Sequence, residues 1–75
     1  MTYVAQSLYD KPLTRQVVRA NGDTVDLEVI GHFSDIDNGR IVGYLIRHEG
    51  RETTLDQLQL EWGDQRLEMW DWPEL

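Results

Sequence analysis

The sequence predicts a mainly β chain, folded as a small antiparallel five-stranded barrel or a strongly curled sheet. Three observations carry this. β-branched residues recur in short runs, helical periodicity is weak, and turn signals separate the runs at Asn21-Gly22, Asp37-Asn38-Gly39, Glu49-Gly50 and Gly63-Asp64. Glycine or Asn-Gly in a two-residue loop supplies the positive φ that tight hairpins require.

A two-residue loop also fixes which residues oppose each other. Around Asn21-Gly22, Val18 falls opposite Val25 and Arg15 opposite Glu28. Around Glu49-Gly50, Arg47 falls opposite Glu52. Around Gly63-Asp64, Glu61 falls opposite Arg66, Leu60 opposite Leu67, and Leu58 opposite Met69. Each turn thus sets an arginine across from a glutamate, the stabilising cross-strand arrangement.

The expected strands are residues 14–20, 24–33, 41–48, 51–55 continuing to 58–62, and 65–70. Leu55 and Leu58 are three apart, which suits a single 3₁₀ turn that bends or breaks the fourth strand. A short N-terminal helical turn is expected around residues 6–10, stopped by Pro12. Gly31 and Gly43 lie mid-strand, where a bulge or sharp bend is expected. A twisted sheet of this length shelters its edges by curling.

The 75 residues are read as one domain, 1–75, with an acidic Trp/Pro tail at 71–75. There are no cysteines to form a disulfide or a thiolate metal site. No apolar run approaches the roughly 20 residues that span a bilayer, and no signal peptide is evident, so a cytoplasmic location is expected. Fourteen acids against seven bases give a formal charge of −7. The excess is uneven: residues 56–75 hold Asp56, Glu61, Asp64, Glu68, Asp71 and Glu74 against Arg66 alone. Nucleic-acid binding usually needs a basic patch to neutralise phosphates. This chain has the opposite field, which repels DNA and anionic lipid and steers towards basic proteins.

All three tryptophans fall in the last fifteen residues. Strand alternation puts Trp62 on the core face with Leu58 and Leu60. It puts Trp70 on the other face, and leaves Trp72 in the tail before Pro73. Trp70 and Trp72 are therefore read as contact residues; the alternative is that the tail folds back and caps the sheet.

Little points to catalysis or metal binding. DIDNGRI, residues 35–41, looks like the start of a calcium loop, but its glycine comes at the fifth position and its twelfth residue is Ile46, where a glutamate is required. His32 and His48 have no second ligand at a recognisable spacing. No nucleophile elbow or phosphate loop is present. No enzymatic activity, cofactor or metal is expected.

From residue 16 to 62 the chain runs VVRANGDTVDLEV, SDIDNGR, IVGYLIRHEG, then RETTLDQLQLEW with its Leu-Asp-x-Leu close. This cadence is similar to small Sm-like or SH3-like barrels and most closely resembles the Rho-binding transcription antiterminator family. The resemblance implies an acidic face that docks on the basic RNA-binding surface of the Rho hexamer, acting as an inhibitor or nucleic-acid mimic. It implies Asp35 and Asp37 in the central loop and Asp56 after the fourth strand as contacts. With Glu68, Trp70, Asp71 and Trp72 from the acidic-aromatic end, these form the expected partner-binding set. Two further readings stand beside it: a homo-oligomer that buries Trp70, Trp72 and a strand edge, and a direct RNA-binding barrel using Arg40, Arg47 and Arg51.

Overall fold

The computed structural model describes residues 3–65, 67–69 and 72. The elements are β1 (Val4–Val18), β2 (Thr24–Asp35), β3 (Ile41–His48), β4 (Arg51–Thr54), α1 (Leu55–Trp62) and β5 (Glu68–Met69). The strands form one open antiparallel sheet in the order β4-β3-β2-β1-β5, in which β5 is a two-residue addition beside the end of β1. The sheet is mainly β and antiparallel, as expected, but it does not close into a barrel. Among the described residues no helix is long and apolar enough to cross a membrane.

The β3–β4 hairpin has the expected form. Glu49 and Gly50 both adopt positive φ, 52° and 75°, and Arg47 lies opposite Glu52. Two left-handed residues in a two-residue loop match the right-handed twist of the flanking strands.

The β1–β2 hairpin is offset by one residue from the expected register. Val17 opposes Val25, Thr14 opposes Glu28, and Arg15 opposes Leu27. The cause lies in the turn. Gly22 alone is left-handed, at φ 93°. Its N–H donates to the Arg19 carbonyl at 2.9 Å, and Arg19 N–H donates to the Asp23 carbonyl at 2.7 Å. The Asn21 side chain accepts from Asp23 N–H at 2.9 Å. That is a three-residue loop with one glycine, so every partner shifts by one.

The N-terminal segment is strand, not helical turn. Residues 4–8 pair with the second half of β2, from Val4 opposite Asp35 to Leu8 opposite Gly31. One isolated helical turn cannot compete with such a ladder, because nucleating a helix fixes several residues for a single hydrogen bond. Pro12 sits in a register shift between Leu8 and Leu13, where its missing N–H removes no regular ladder bond.

The second half of the expected fourth strand, 58–62, is helix α1, and the expected Gly63-Asp64 hairpin does not form. Thr54 caps the helix, its side chain accepting from Gln57 N–H at 3.1 Å. Gly63, at φ 72°, ends it by donating to the Leu60 carbonyl, while Asp64 N–H donates to Gln59. This pair of bonds is a Schellman motif. Leu55, Leu58 and Trp62 recur at helical spacing and face the sheet, whereas Leu60 is 74% exposed. Glu61 pairs with Arg51 at 2.5 Å; its expected partner Arg66 lies outside the described residues.

One face of the sheet, α1 and Trp72 enclose the core: Val17, Leu27, Val29, Tyr44, Ile46, Leu55, Leu58 and Trp72. Further register shifts fall between Val29 and Gly31 and between Phe33 and Ser34, beside the two mid-strand glycines. At Gly31 a Cβ would collide with the Ser7 backbone carbonyl, while at Gly43 it would meet only the Phe33 ring at 3.6 Å. Gly31→Ala is therefore expected to cost about 1–3 kcal/mol, the usual range for overpacking, and Gly43→Ala much less. Urea unfolding followed by circular dichroism measures both; equal midpoints for the two variants would contradict the close strand approach at Gly31.

Candidate interaction surface

The expected contact residues sit on separate elements. Asp35 ends β2 as a turn residue: its carboxylate accepts the Asp37 N–H at 2.8 Å and its carbonyl accepts the Gly39 N–H at 2.8 Å. The loop is tied again by the Asn38 side chain accepting from Arg40 N–H at 2.8 Å. Asp37 points to solvent. Asp56 is exposed in the first turn of α1, where the helix dipole favours a negative charge. Glu68 is half-buried in β5, opposite Val18. Trp70 and Asp71 lie outside the described residues.

Trp72 is not on the surface. It is 8% exposed, its ring lies edge-on to Tyr44 at 4.8 Å between centroids, and its indole N–H donates to the Gln16 carbonyl at 2.9 Å. A domain this small gains more from an indole against its sheet than from displaying one. Trp72 therefore leaves the contact set and cannot bury against a second copy in this arrangement. Trp62 packs against the core as expected, though from a helix. The Arg19 guanidinium lies over its ring at 4.9 Å from the centroid.

Three arginines, Arg19, Arg47 and Arg51, are drawn into internal ion pairs. Arg19 bonds Asp64 at 2.8 Å and the Trp62 carbonyl at 3.3 Å, tying the first hairpin to the end of α1. The Asp64 hydrogen bond, opposed by desolvation and assisted by Coulombic attraction, holds the Arg19 guanidinium above its ordinary pKa. The Glu61 hydrogen bond does the same for Arg51. Arg47, on the solvent face, lies 3.5 Å from Glu28 on β2 and 3.7 Å from Glu52 on β4. Hairpin spacing pointed to Arg47 with Glu52. It does not reach Glu28, because the β2–β3 register passes through two irregularities that no turn spacing sets, nor the Arg19 clamp, because Asp64 is 45 residues away.

On the same face the β1 irregularity leaves a groove of about 250 Å³, lined by Leu8, Tyr9, Asp10, Pro12, Ile30, Arg47 and Glu52. Tyr9, which lines it, shares a hydrogen bond of 2.7 Å between its hydroxyl and the Nδ1 of buried His32. Burial raises the Tyr9 phenol above its ordinary 10.0. A raised folded-state value means that this stabilisation is present below pH 10 and lost as pH climbs through the raised value. Tyr9→Phe should cost about 1–3 kcal/mol by orphaning a buried imidazole nitrogen. It should also remove this part of the alkaline loss of stability. Urea midpoints measured across pH 7–11 check both; an unchanged neutral midpoint would refute the contact's value.

Among the described residues no group of three or more His, Cys, Asp or Glu could hold a metal ion. Comparison with protein-family models, curated proteins and solved structures finds no match.

Proposed function

We propose that this chain is a non-catalytic interaction module that presents an acidic surface to a basic protein. One observation carries the reading: much of the cationic charge is spent inside the molecule. Arg19, Arg47 and Arg51 are held by Asp64, by Glu28 and Glu52, and by Glu61. Meanwhile Asp10, Asp26, Asp37 and Asp56 are exposed, in a chain of net charge −7. The outward field is therefore negative and favours a cationic partner surface, such as one built to hold nucleic acid. Inhibition by nucleic-acid mimicry, in the manner of the Rho-binding antiterminators, is the mechanism this charge distribution suits. The open, helix-capped antiparallel sheet supplies a mount for it. Direct RNA binding through Arg40, Arg47 and Arg51 is less suited, because two of those three guanidiniums already face carboxylates.

The test is affinity capture from cytosolic lysate with the wild type and with Asp35→Asn/Asp37→Asn/Asp56→Asn. Basic proteins should be retained at low salt and released as the Debye length falls from about 10 Å at 0.1 M to about 3 Å at 1 M. The triple variant should lose them. Retention of neutral or acidic proteins alone, indifferent to salt, would end the proposal.

A further inference from the structure

Among the described residues the first half of β1 is an open sheet edge. β5 pairs only with Val17 and Val18, so among the described residues 4–8 are laddered to β2 on one side alone. Their backbone polarity can be read from two contacts. Tyr3 accepts the Ile36 N–H at 3.1 Å, and the Ser7 carbonyl lies against Gly31. In an antiparallel ladder, alternate residues turn N–H and C=O to the same neighbour. Tyr3, Ala5 and Ser7 thus face β2, while Val4, Gln6 and Leu8 direct theirs outward.

Farther along, the edge is guarded. Asp10, Lys11 and Pro12 lie in the irregular stretch, and the Gln16 carbonyl is taken by the Trp72 indole. Charge, proline and bulges are the usual devices against edge pairing. Residues 4–8 have none of them: the segment is Val-Ala-Gln-Ser-Leu, uncharged in a chain of −7, with Val4 51% and Leu8 65% exposed.

We propose that two copies of this chain pair antiparallel along residues 4–8, about a two-fold axis at Gln6, making one continuous sheet across the dimer. The segment is self-complementary in that register. Gln6 meets Gln6 of the second copy, and Val4 meets Leu8 at both ends. Every outward-facing residue therefore opposes another outward-facing one. Slipping by one residue would set outward groups against inward ones; slipping by two would bring Asp10 opposite Val4 or leave Leu8 unmatched within the segment. A two-fold contact of this kind closes on itself and adds no further copies. It also lets two acidic molecules approach where neither carries charge. This inference does not depend on the acidic-module reading.

Sedimentation equilibrium from micromolar to millimolar concentration tests it. The mass should rise from 8.8 kDa towards twice that value. Gln6→Pro removes an outward N–H that makes no ladder bond to β2, so it should keep the wild-type circular dichroism and remain at the monomer mass. A second pair of variants reads the register directly. A hydrogen-bonded antiparallel pair holds its Cα atoms about 5.5 Å apart, within disulfide range. Under mild oxidation Gln6→Cys should therefore cross-link into dimers much faster than Ser7→Cys, whose sulfurs would sit on offset positions. A wild type that stays at the monomer mass throughout, an undiminished dimer in Gln6→Pro, or equal cross-linking of the two cysteine variants would each overturn the proposal.

Discussion

Trp72→Ala is expected to leave much of the protein unfolded at 25 °C. Truncating a buried tryptophan costs about 3–5 kcal/mol through lost transfer free energy and the cavity left behind. A single core in a chain this short rarely supplies more than about 3–5 kcal/mol in total. The indole packs edge-on to Tyr44 and caps the Gln16 carbonyl, so its loss opens the core and orphans an acceptor at the sheet edge. Trp72→Phe separates the two effects. It keeps a ring against Tyr44 and removes only the N–H, and should cost about 1–3 kcal/mol for the unsatisfied carbonyl and the smaller ring. Circular dichroism against urea measures both. A Trp72→Ala midpoint equal to that of wild type would mean that the indole is a surface group after all.

Leu58→Ala should be nearly as damaging, at about 2–5 kcal/mol, and its comparison with Leu60→Ala identifies the secondary structure. Leu58 is 1% exposed and Leu60 74% exposed. In a strand the two would share a face and both truncations would be costly. In helix α1 they face opposite ways. Leu60→Ala should then stay within about 0.5 kcal/mol of wild type, as surface changes usually do, with alanine's helix propensity in its favour. Similar losses for both would restore the strand.

The same kind of ambiguity governed how much of the fold could be read beforehand. β3 has the expected bounds, and the Glu49-Gly50 turn gave the Arg47–Glu52 pairing, because two left-handed residues in a row admit one short loop geometry. Gly22 and Gly63 are equally glycine, yet one closes a three-residue loop and the other ends a helix. A glycine reports that φ must be positive; it does not report what precedes the turn. At Gly63 the deciding signal lies in the preceding residues. Thr54 stands three residues before Gln57, and Leu55, Leu58 and Trp62 stand at helical spacing.

The candidate contact set was legible to a lesser degree. Asp37 and Asp56 are exposed as expected, because loop acids and acids in a first helical turn have local reasons to meet solvent. Asp35 holds its own turn together, and Trp72 turned inward. The first is a local bond to an amide two residues on, while the second depends on residues far away in the chain. Each depends on whether a distant surface, or a backbone amide two residues on, offers a better partner than water.

By itself the sequence determined the β class, three of the four glycine-bearing corners, the negative outward field and the uncharged stretch at residues 4–8. These depend on backbone stereochemistry and on charge, which act over a few residues or simply sum. Tertiary structure alone decided the pairing of residues 4–8 with β2 and the burial of Trp72. In each of those, a short segment has two local conformations of similar free energy. The choice goes to whichever buries apolar surface and satisfies backbone groups against parts of the chain far away in sequence.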